Sequence, residues 1–368
     1  MSFYQKIREY GDFDFNSYFE KIEEDDVLNT LSKQYLNEED FLNLLSPCAE
    51  KYIELMAQKA NEITRRQFGN TIVLFTPMYI SNYCVNHCVY CGYNAKNKIF
   101  RKHLDYEEVR REAEIIAETG LKHILVLTGE AKNMATPEYI CRCCEILKEY
   151  FTSIAIEIYP MTENEYSMVV KSGVDLLTVY QETYNESLYP RLHLKGPKKD
   201  YLFRLETPER AARANMRSLG IGALLGLDNW RKESFFTGIH AAYLFDNYPD
   251  REISVSFPRI RPHEGDFMPD FHVSDRNMVQ IMTALRIFLP RCGITISTRE
   301  SMEFRNNILP LGVTKMSAGV STKVGGHTHC EDDTGQFEIS DTRSVHEMGI
   351  DLKKMGYQPV YKDWQFLN

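Results

Sequence analysis

From about residue 71 onward, short apolar runs alternate with helix-sized amphipathic stretches. The runs are Thr71–Pro77, His123–Thr128, Ile154–Tyr159, Val174–Gln181, Ile221–Leu227, Ile253–Pro258, Ile294–Thr298 and the weaker Thr314–Ala318. Between them, stretches such as YEEVRREAEIIAET, ENEYSMVVKS and PERAARANMRSL place apolar residues at helical spacing. Strand candidates separated by helices predict parallel β/α units. Their span of roughly 250 residues matches a closed (β/α)8 barrel of the TIM type. A doubly wound open sheet is the alternative. The segment before the first run also has helical spacing, as in AEKYIELMAQKANEIT, and Phe68-Gly69-Asn70 ends it. The predicted organisation is an N-terminal helical region over 1–69, the barrel over 70–320 and a short C-terminal segment over 321–368. In either parallel architecture, reactive groups belong just beyond the carboxyl ends of the strands.

Composition narrows the class. Hydrophobic residues make up 43% of the 368, enough for a large buried core. No apolar run reaches membrane-spanning length, and the N-terminus MSFYQKIREYGDFDF lacks the apolar core of a signal peptide. A cytoplasmic protein is expected, with no membrane partner. The net charge of −9, concentrated early in YFEKIEEDD and LNEED, argues against a nucleic-acid partner. Nine cysteines without a secretory signal point to reduced thiols or metal ligands rather than disulfides.

Three of those cysteines fall together. After the first strand candidate comes Tyr83-Cys84-Val85-Asn86-His87-Cys88-Val89-Tyr90-Cys91, which puts three thiolates in one loop where a barrel enzyme keeps its chemistry. A cubane [4Fe–4S] cluster takes four cysteine ligands. With three, one iron stays open to a substrate or cofactor. A structural zinc site completed by His87 is the competing reading, although such sites usually draw on two separate segments.

The CxxxCxxC spacing, with an aromatic residue before the last cysteine, resembles the radical S-adenosylmethionine superfamily. The resemblance implies that the open iron chelates the methionine amino and carboxylate groups of S-adenosylmethionine. A one-electron reduction then yields a 5′-deoxyadenosyl radical that abstracts hydrogen. It also suggests cofactor-binding residues at later strand ends. Glu130, in Thr128-Gly129-Glu130, resembles the glutamate that accepts from the amino group, although a polar helix start reads equally well. Glu182, in Tyr180-Gln181-Glu182, would hold the ribose hydroxyls. Arg210, in Arg204-Leu-Glu-Thr-Pro-Glu-Arg210, resembles the arginine that grips the carboxylate, and Arg204 is its rival. Tyr90 would cover the adenine, or sit as a core tyrosine.

Beyond these motifs, LLSPCAEKYIELMAQKA, YQETYNESLYPRLHLKGPKKDYLFRLETPERA, GIGALLGLDNWR, SVSFPRIRP, ISTRES and PVYKDW resemble the 2-iminoacetate synthase family of thiazole and thiamine biosynthesis. That resemblance implies radical cleavage of the Cα–Cβ bond of L-tyrosine, started by hydrogen abstraction from its amino group. The products would be 2-iminoacetate (dehydroglycine) and p-cresol. An electron donor such as flavodoxin or ferredoxin is implied, as is a possible complex with the thiazole synthase. Lyases acting on tryptophan, or enzymes that build aromatic cofactors, are the rivals within this chemistry. A non-catalytic zinc or electron-transfer module is the rival outside it. By analogy with aromatic amino acid lyases, Arg299 would anchor the substrate carboxylate and Ser317 would add a donor. An Arg299–Glu300 ion pair is the structural alternative, and Arg259 and Arg261 are further candidates.

A hydrogenase-maturation relative carries a second cluster on three C-terminal cysteines. Only Cys330 lies in the corresponding segment of this sequence, so that chemistry is not expected. His327, His329 and Cys330 form a glycine-rich loop that reads as polar loop rather than metal site. Cys141, Cys143 and Cys144 read as core packing within a helix.

Overall fold

The computed structural model describes residues 2–328, 335–362, 364 and 365. Eight parallel strands close into a barrel: β1 (Thr71–Ser81), β2 (His123–Thr128), β3 (Ser153–Glu157), β4 (Val174–Glu182), β5 (Ser218–Ala223), β6 (Glu252–Ser256), β7 (Gly293–Ile296) and β8 (Lys315–Ser317). Closure is shown by β1, which pairs with β2 from Thr76 onward and with β8 over Val73–Phe75. An open doubly wound sheet would leave two edges, so that alternative is excluded.

Most boundaries follow the apolar runs, because parallel strands covered by helices are buried on both faces. The fifth strand is the main exception. It starts at Ser218 and stops at Ala223, short of the run's end. Leu224 and Leu227 leave the sheet to pack with Cys88, Tyr90 and Leu192 in a small apolar cluster above the barrel mouth. A short ninth strand, β9 (Gln358–Val360), pairs with β1 over Thr71–Val73. The Lys122 N–H donates to Tyr361 O at 2.9 Å, so this last segment also ties to the start of β2 at the bottom of the barrel.

The N-terminal residues form helices, including Glu38–Leu45 and Ile53–Phe68, that pack against the barrel's outer helices. Phe41 is the centre of this contact. It is fully buried and stacks on Phe288 at 4.5 Å between centroids. Gln280 donates to the carbonyls of Leu44 and Ser46, both at 2.9 Å, satisfying a helix end that the contact buries. Phe41→Ala leaves a cavity no neighbour can close, and the expected loss is about 3–5 kcal/mol in urea unfolding.

Candidate active site

The loop after β1 carries the cysteines, and its shape is fixed by hydrogen bonds to two other segments. Val85 N–H donates to Glu130 O at 2.9 Å, His87 N–H to Lys195 O at 2.9 Å and Val89 N–H to Leu192 O at 3.1 Å. Arg101 clamps it from outside, donating to the carbonyls of Asn82 (2.6 Å), Tyr93 (3.0 Å) and Asn94 (2.7 Å). Gly129 has to be glycine, because a Cβ there would lie 2.3 Å from the Tyr83 carbonyl oxygen. That close approach brings Glu130 beside the cysteine loop.

Cys84, Cys88 and Cys91 line one cavity of about 670 Å³ at the barrel mouth, together with Glu130, Glu182, Lys198 and Arg204. Burial pushes the Cys88 thiol up to about 12 and raises Cys84 as well. Thiols so placed ionise only against strong positive charge, which cluster iron provides. His87, the candidate fourth zinc ligand, does not line this cavity. Among the described residues no three His, Cys, Asp or Glu side chains converge as a single ion requires. A four-iron cluster takes each thiolate on a different iron, so the wider spacing suits it.

Opposite the cysteines, Glu182 closes β4 in a left-handed conformation, φ 72°. The register of β4 against β5 shifts between Tyr180 and Glu182, and this kink aims the side chain inward. A non-glycine residue held at positive φ costs roughly 1–3 kcal/mol and tends to mark functional positions. Glu182 accepts from Lys198 Nζ at 2.6 Å and Arg204 Nη2 at 3.3 Å. Burial works to raise this carboxyl, but the two cations prevail and hold it below the ordinary value. Arg204 also donates from Nε to Tyr180 O at 2.7 Å. Glu130 accepts from Asn86 Nδ2 at 2.6 Å.

Tyr90 is buried, with Lys198 Nζ 5.5 Å from its ring centroid. Its hydroxyl meets His193 Nε2 at 2.6 Å, while His193 Nδ1 faces Tyr189 O at 2.9 Å. Burial pulls His193 down to about 3, so the ring is neutral. Its Nδ1–H then donates to the carbonyl, and Nε2 accepts from Tyr90.

A second cavity, about 530 Å³, shares Cys91, Glu157, Tyr180, Glu182, Lys198 and Gln336 with the first. It reaches Arg299, just beyond β7. Phe337 lies flat against the Arg299 guanidinium, 3.4 Å from ring centroid to Cζ. Arg299 does not pair with Glu300. That carboxylate is taken by Arg259, which also donates to Val273 O and pairs with Asp275. Arg261 joins Arg299 in lining the cavity, so of the three arginines only Arg259 is fully engaged elsewhere. The roof comes from residues 335–340. Gln336 N–H donates to Thr322 O at 3.1 Å, Glu338 N–H to Pro262 O at 2.9 Å and Ser340 N–H to Thr298 O at 2.8 Å.

Residues 78–236 match the Radical SAM superfamily and residues 256–358 match the Biotin and Thiamin Synthesis associated domain. The chain is 41% identical to 2-iminoacetate synthase of Escherichia coli K12, over 92% of this chain and 90% of that one. It is 38% identical to 2-iminoacetate synthase of Salmonella typhimurium over the same shares. This chain belongs to the 2-iminoacetate synthase family. Among solved structures it is similar to HydG, a maturase of the [FeFe]-hydrogenase, with a TM-score of 0.90 and 32% identity over 97% of this chain and 80% of that one.

Two residues singled out in the sequence lie elsewhere in this 2-iminoacetate synthase relative. Arg210 lines none of the cavities at the barrel mouth. Its guanidinium donates to Met161 O at 3.0 Å, to Thr207 Oγ1 at 3.0 Å and to Phe203 O, and it lies 3.9 Å from the Phe203 ring centroid. It braces the helix Thr207–Arg213, and Arg204 is the arginine that reaches the cavity. Ser317 Oγ accepts from Thr298 N–H at 3.1 Å and lines neither cavity; it fixes the turn that carries Arg299. His327 is tied to Pro77 O at 3.0 Å, while His329 and Cys330 fall outside the described residues. Cys143 and Cys144 are fully buried in the core and Cys141 is half-buried. The family's sequence pattern did not single out Glu157, Lys198 or Gln336. Lys198 sits in a run of surface-like charge, KGPKKD, where nothing in residue type marks one lysine.

Proposed function

We propose that this chain is a radical S-adenosylmethionine lyase that splits the Cα–Cβ bond of L-tyrosine into 2-iminoacetate and p-cresol for thiazole biosynthesis. The observation that carries this reading is a pair of adjoining cavities, one lined by the cysteine triplet and one by Arg299, in a 2-iminoacetate synthase family member. Cys84, Cys88 and Cys91 would hold a [4Fe–4S] cluster, and Glu130, Glu182 and Arg204 would hold S-adenosylmethionine. When bound, that pair supplies a 5′-deoxyadenosyl radical able to remove hydrogen from the substrate's amino group.

The chain's own residues bind and orient. Glu182, kept ionised by Lys198 and Arg204, accepts from the ribose hydroxyls. Glu130 accepts from the methionine amino group, and Arg204, whose Nε and Nη2 are engaged by Tyr180 and Glu182, offers Nη1 to the carboxylate. Arg299, half-buried and facing the second cavity, takes the tyrosine carboxylate. The roof over residues 335–340 excludes water, so the reacting atoms are held in a fixed geometry. In this reading an electron comes from a cytoplasmic flavodoxin or ferredoxin, and the short-lived 2-iminoacetate passes to a thiazole synthase, which favours a complex between the two enzymes.

The test is anaerobic incubation of the reconstituted protein with tyrosine, S-adenosylmethionine and a reductant. Release of p-cresol and 5′-deoxyadenosine is expected; absence of p-cresol with tyrosine consumed otherwise would remove the assignment. The two arginines separate in a binding assay. Arg204→Ala should weaken S-adenosylmethionine by about 10- to 150-fold, the worth of a charged hydrogen bond. Arg210→Ala should lower stability and leave cofactor affinity within about twofold.

A further inference from the structure

Two carboxylates border both the cysteine cavity and the Arg299 cavity: Glu157 and Glu182. Glu182 is committed to Lys198 and Arg204. Glu157, the last residue of β3, also borders the barrel interior below. Its carboxyl group makes no hydrogen bond among the described residues; only longer-range charges act on it. This half-buried acid faces the junction of three cavities with no side-chain partner among the described residues. It is explained if a ligand provides the partner.

Resting on the tyrosine-lyase reading, we infer that Glu157 is the base that takes a proton from the ammonium group of bound tyrosine. Tyrosine enters as a zwitterion, and its nitrogen carries no lone pair until that proton leaves. In the transfer one N–H bond breaks, its electron pair stays on nitrogen, and the proton forms an O–H bond on the Glu157 carboxylate. No electrons change hands, so no further reactant is needed.

Geometry places this at the right end of the substrate. With its carboxylate on Arg299, tyrosine has its nitrogen one carbon away, on the wall shared with the cysteine cavity. Glu157 lies on that wall. The phenol is at the far end of the side chain, away from Arg299. The charged and titratable groups around Glu157 are Tyr79 from β1, Tyr180 and Glu182 from β4, Lys198 and Arg204 from the segment that follows, and Arg299 beyond β7. Burial lifts Glu157 to about 7, with Arg299 pulling down and Glu182 pushing up. The two tyrosines are pushed far above the neutral range by burial. Among these groups Glu157 is therefore the one suited to exchange a proton near neutral pH.

The experiment uses the full chain with its cluster reconstituted, as wild type, Glu157→Gln and Glu157→Asp. At neutral pH, Glu157→Gln should slow p-cresol formation by about 10²–10⁴-fold, with tyrosine and S-adenosylmethionine affinities within about threefold. Its deficit should shrink about tenfold per pH unit as alkaline solution strips the ammonium proton, and Glu157→Asp should recover part of the rate at every pH. A wild-type rate in Glu157→Gln overturns the inference. So does rescue of that variant by 3,5-difluorotyrosine at neutral pH, because an acidified phenol would locate the missing proton transfer there. If Glu157→Gln fails to bind cluster, the Glu157→Asp profile decides: a rate equal to wild type with no pH response overturns the inference. A wild type that releases no p-cresol sinks the tyrosine-lyase reading instead, so the two failures are distinct.

Discussion

Cys88→Ala, purified and reconstituted without oxygen, should hold only a small fraction of the wild-type iron and form no detectable 5′-deoxyadenosine. Cys88 is the most deeply placed of the three cysteines, 4% exposed, and its backbone is bridged to His193. Its thiol is pushed up to about 12 by burial, so an apo site carries a neutral, poorly solvated sulfur. Removing it deletes one of three protein anchors for the cluster, and the two that remain leave half the irons without a thiolate. Nothing nearby substitutes: besides Cys84 and Cys91 no thiol or imidazole lines the cavity, and of its carboxylates Glu182 is paired with Lys198 while Glu130 accepts from Asn86. Cys141→Ala is the control. It sits half-buried on a helix of the outer layer, and its loss should leave iron content unchanged. Iron analysis and the spin-resonance signal of the reduced protein read both variants. Full iron in Cys88→Ala would end the cluster assignment.

How much of this was legible in the sequence depends on what each residue's role is made of. The barrel was, because strands buried on both faces must be apolar and the helices between them must be amphipathic. β9 was not: Gln358-Pro359-Val360 has no apolar run, and it exists only because the open bottom ends of β1 and β2 offer it partners. The cysteines were legible because their chemistry needs a local spacing. Arg204 and Arg210 were not separable, since both stand near a helix start and both are arginines. The chain breaks between Tyr201–Leu205 and Thr207–Arg213, and that break sends one guanidinium to Glu182 and the other to Met161 and Phe203. Glu157 was invisible for a related reason. A single glutamate inside the run Ile154–Tyr159 reads as a polar interruption of the strand, and only closure of the barrel turns it inward beside Arg299.

Arg299→Ala should raise the apparent Kd for tyrosine by about 30- to several-thousand-fold, corresponding to a loss of roughly 2–5 kcal/mol for a buried charge pair deprived of one member. The carboxylate of an amino acid entering this cavity sheds water, and it recovers that loss only against a fixed donor pair. Arg299 has the properties required. Burial lowers its pKa, and Tyr79 and Glu157 oppose that effect. Phe337 fixes its plane from one face, and among the described residues its guanidinium makes one hydrogen bond, a long one of 3.5 Å to Arg259 O. The fork is thus held in position with donors to spare. Arg299→Lys keeps the charge but loses the two-point grip and the flat contact with Phe337, so an intermediate defect is expected. Both variants should still cleave S-adenosylmethionine, with 5′-deoxyadenosine formed in excess of p-cresol and the ratio approaching wild type as tyrosine is raised. Of the two cavities, Glu130 and Arg204 line only that of the cysteines and Arg299 lines only the other, which is why binding of one can fail while chemistry on the other persists. Loss of cofactor cleavage in step with loss of p-cresol, at saturating tyrosine, would instead place Arg299 in the support of the cofactor and remove it from the substrate's carboxylate.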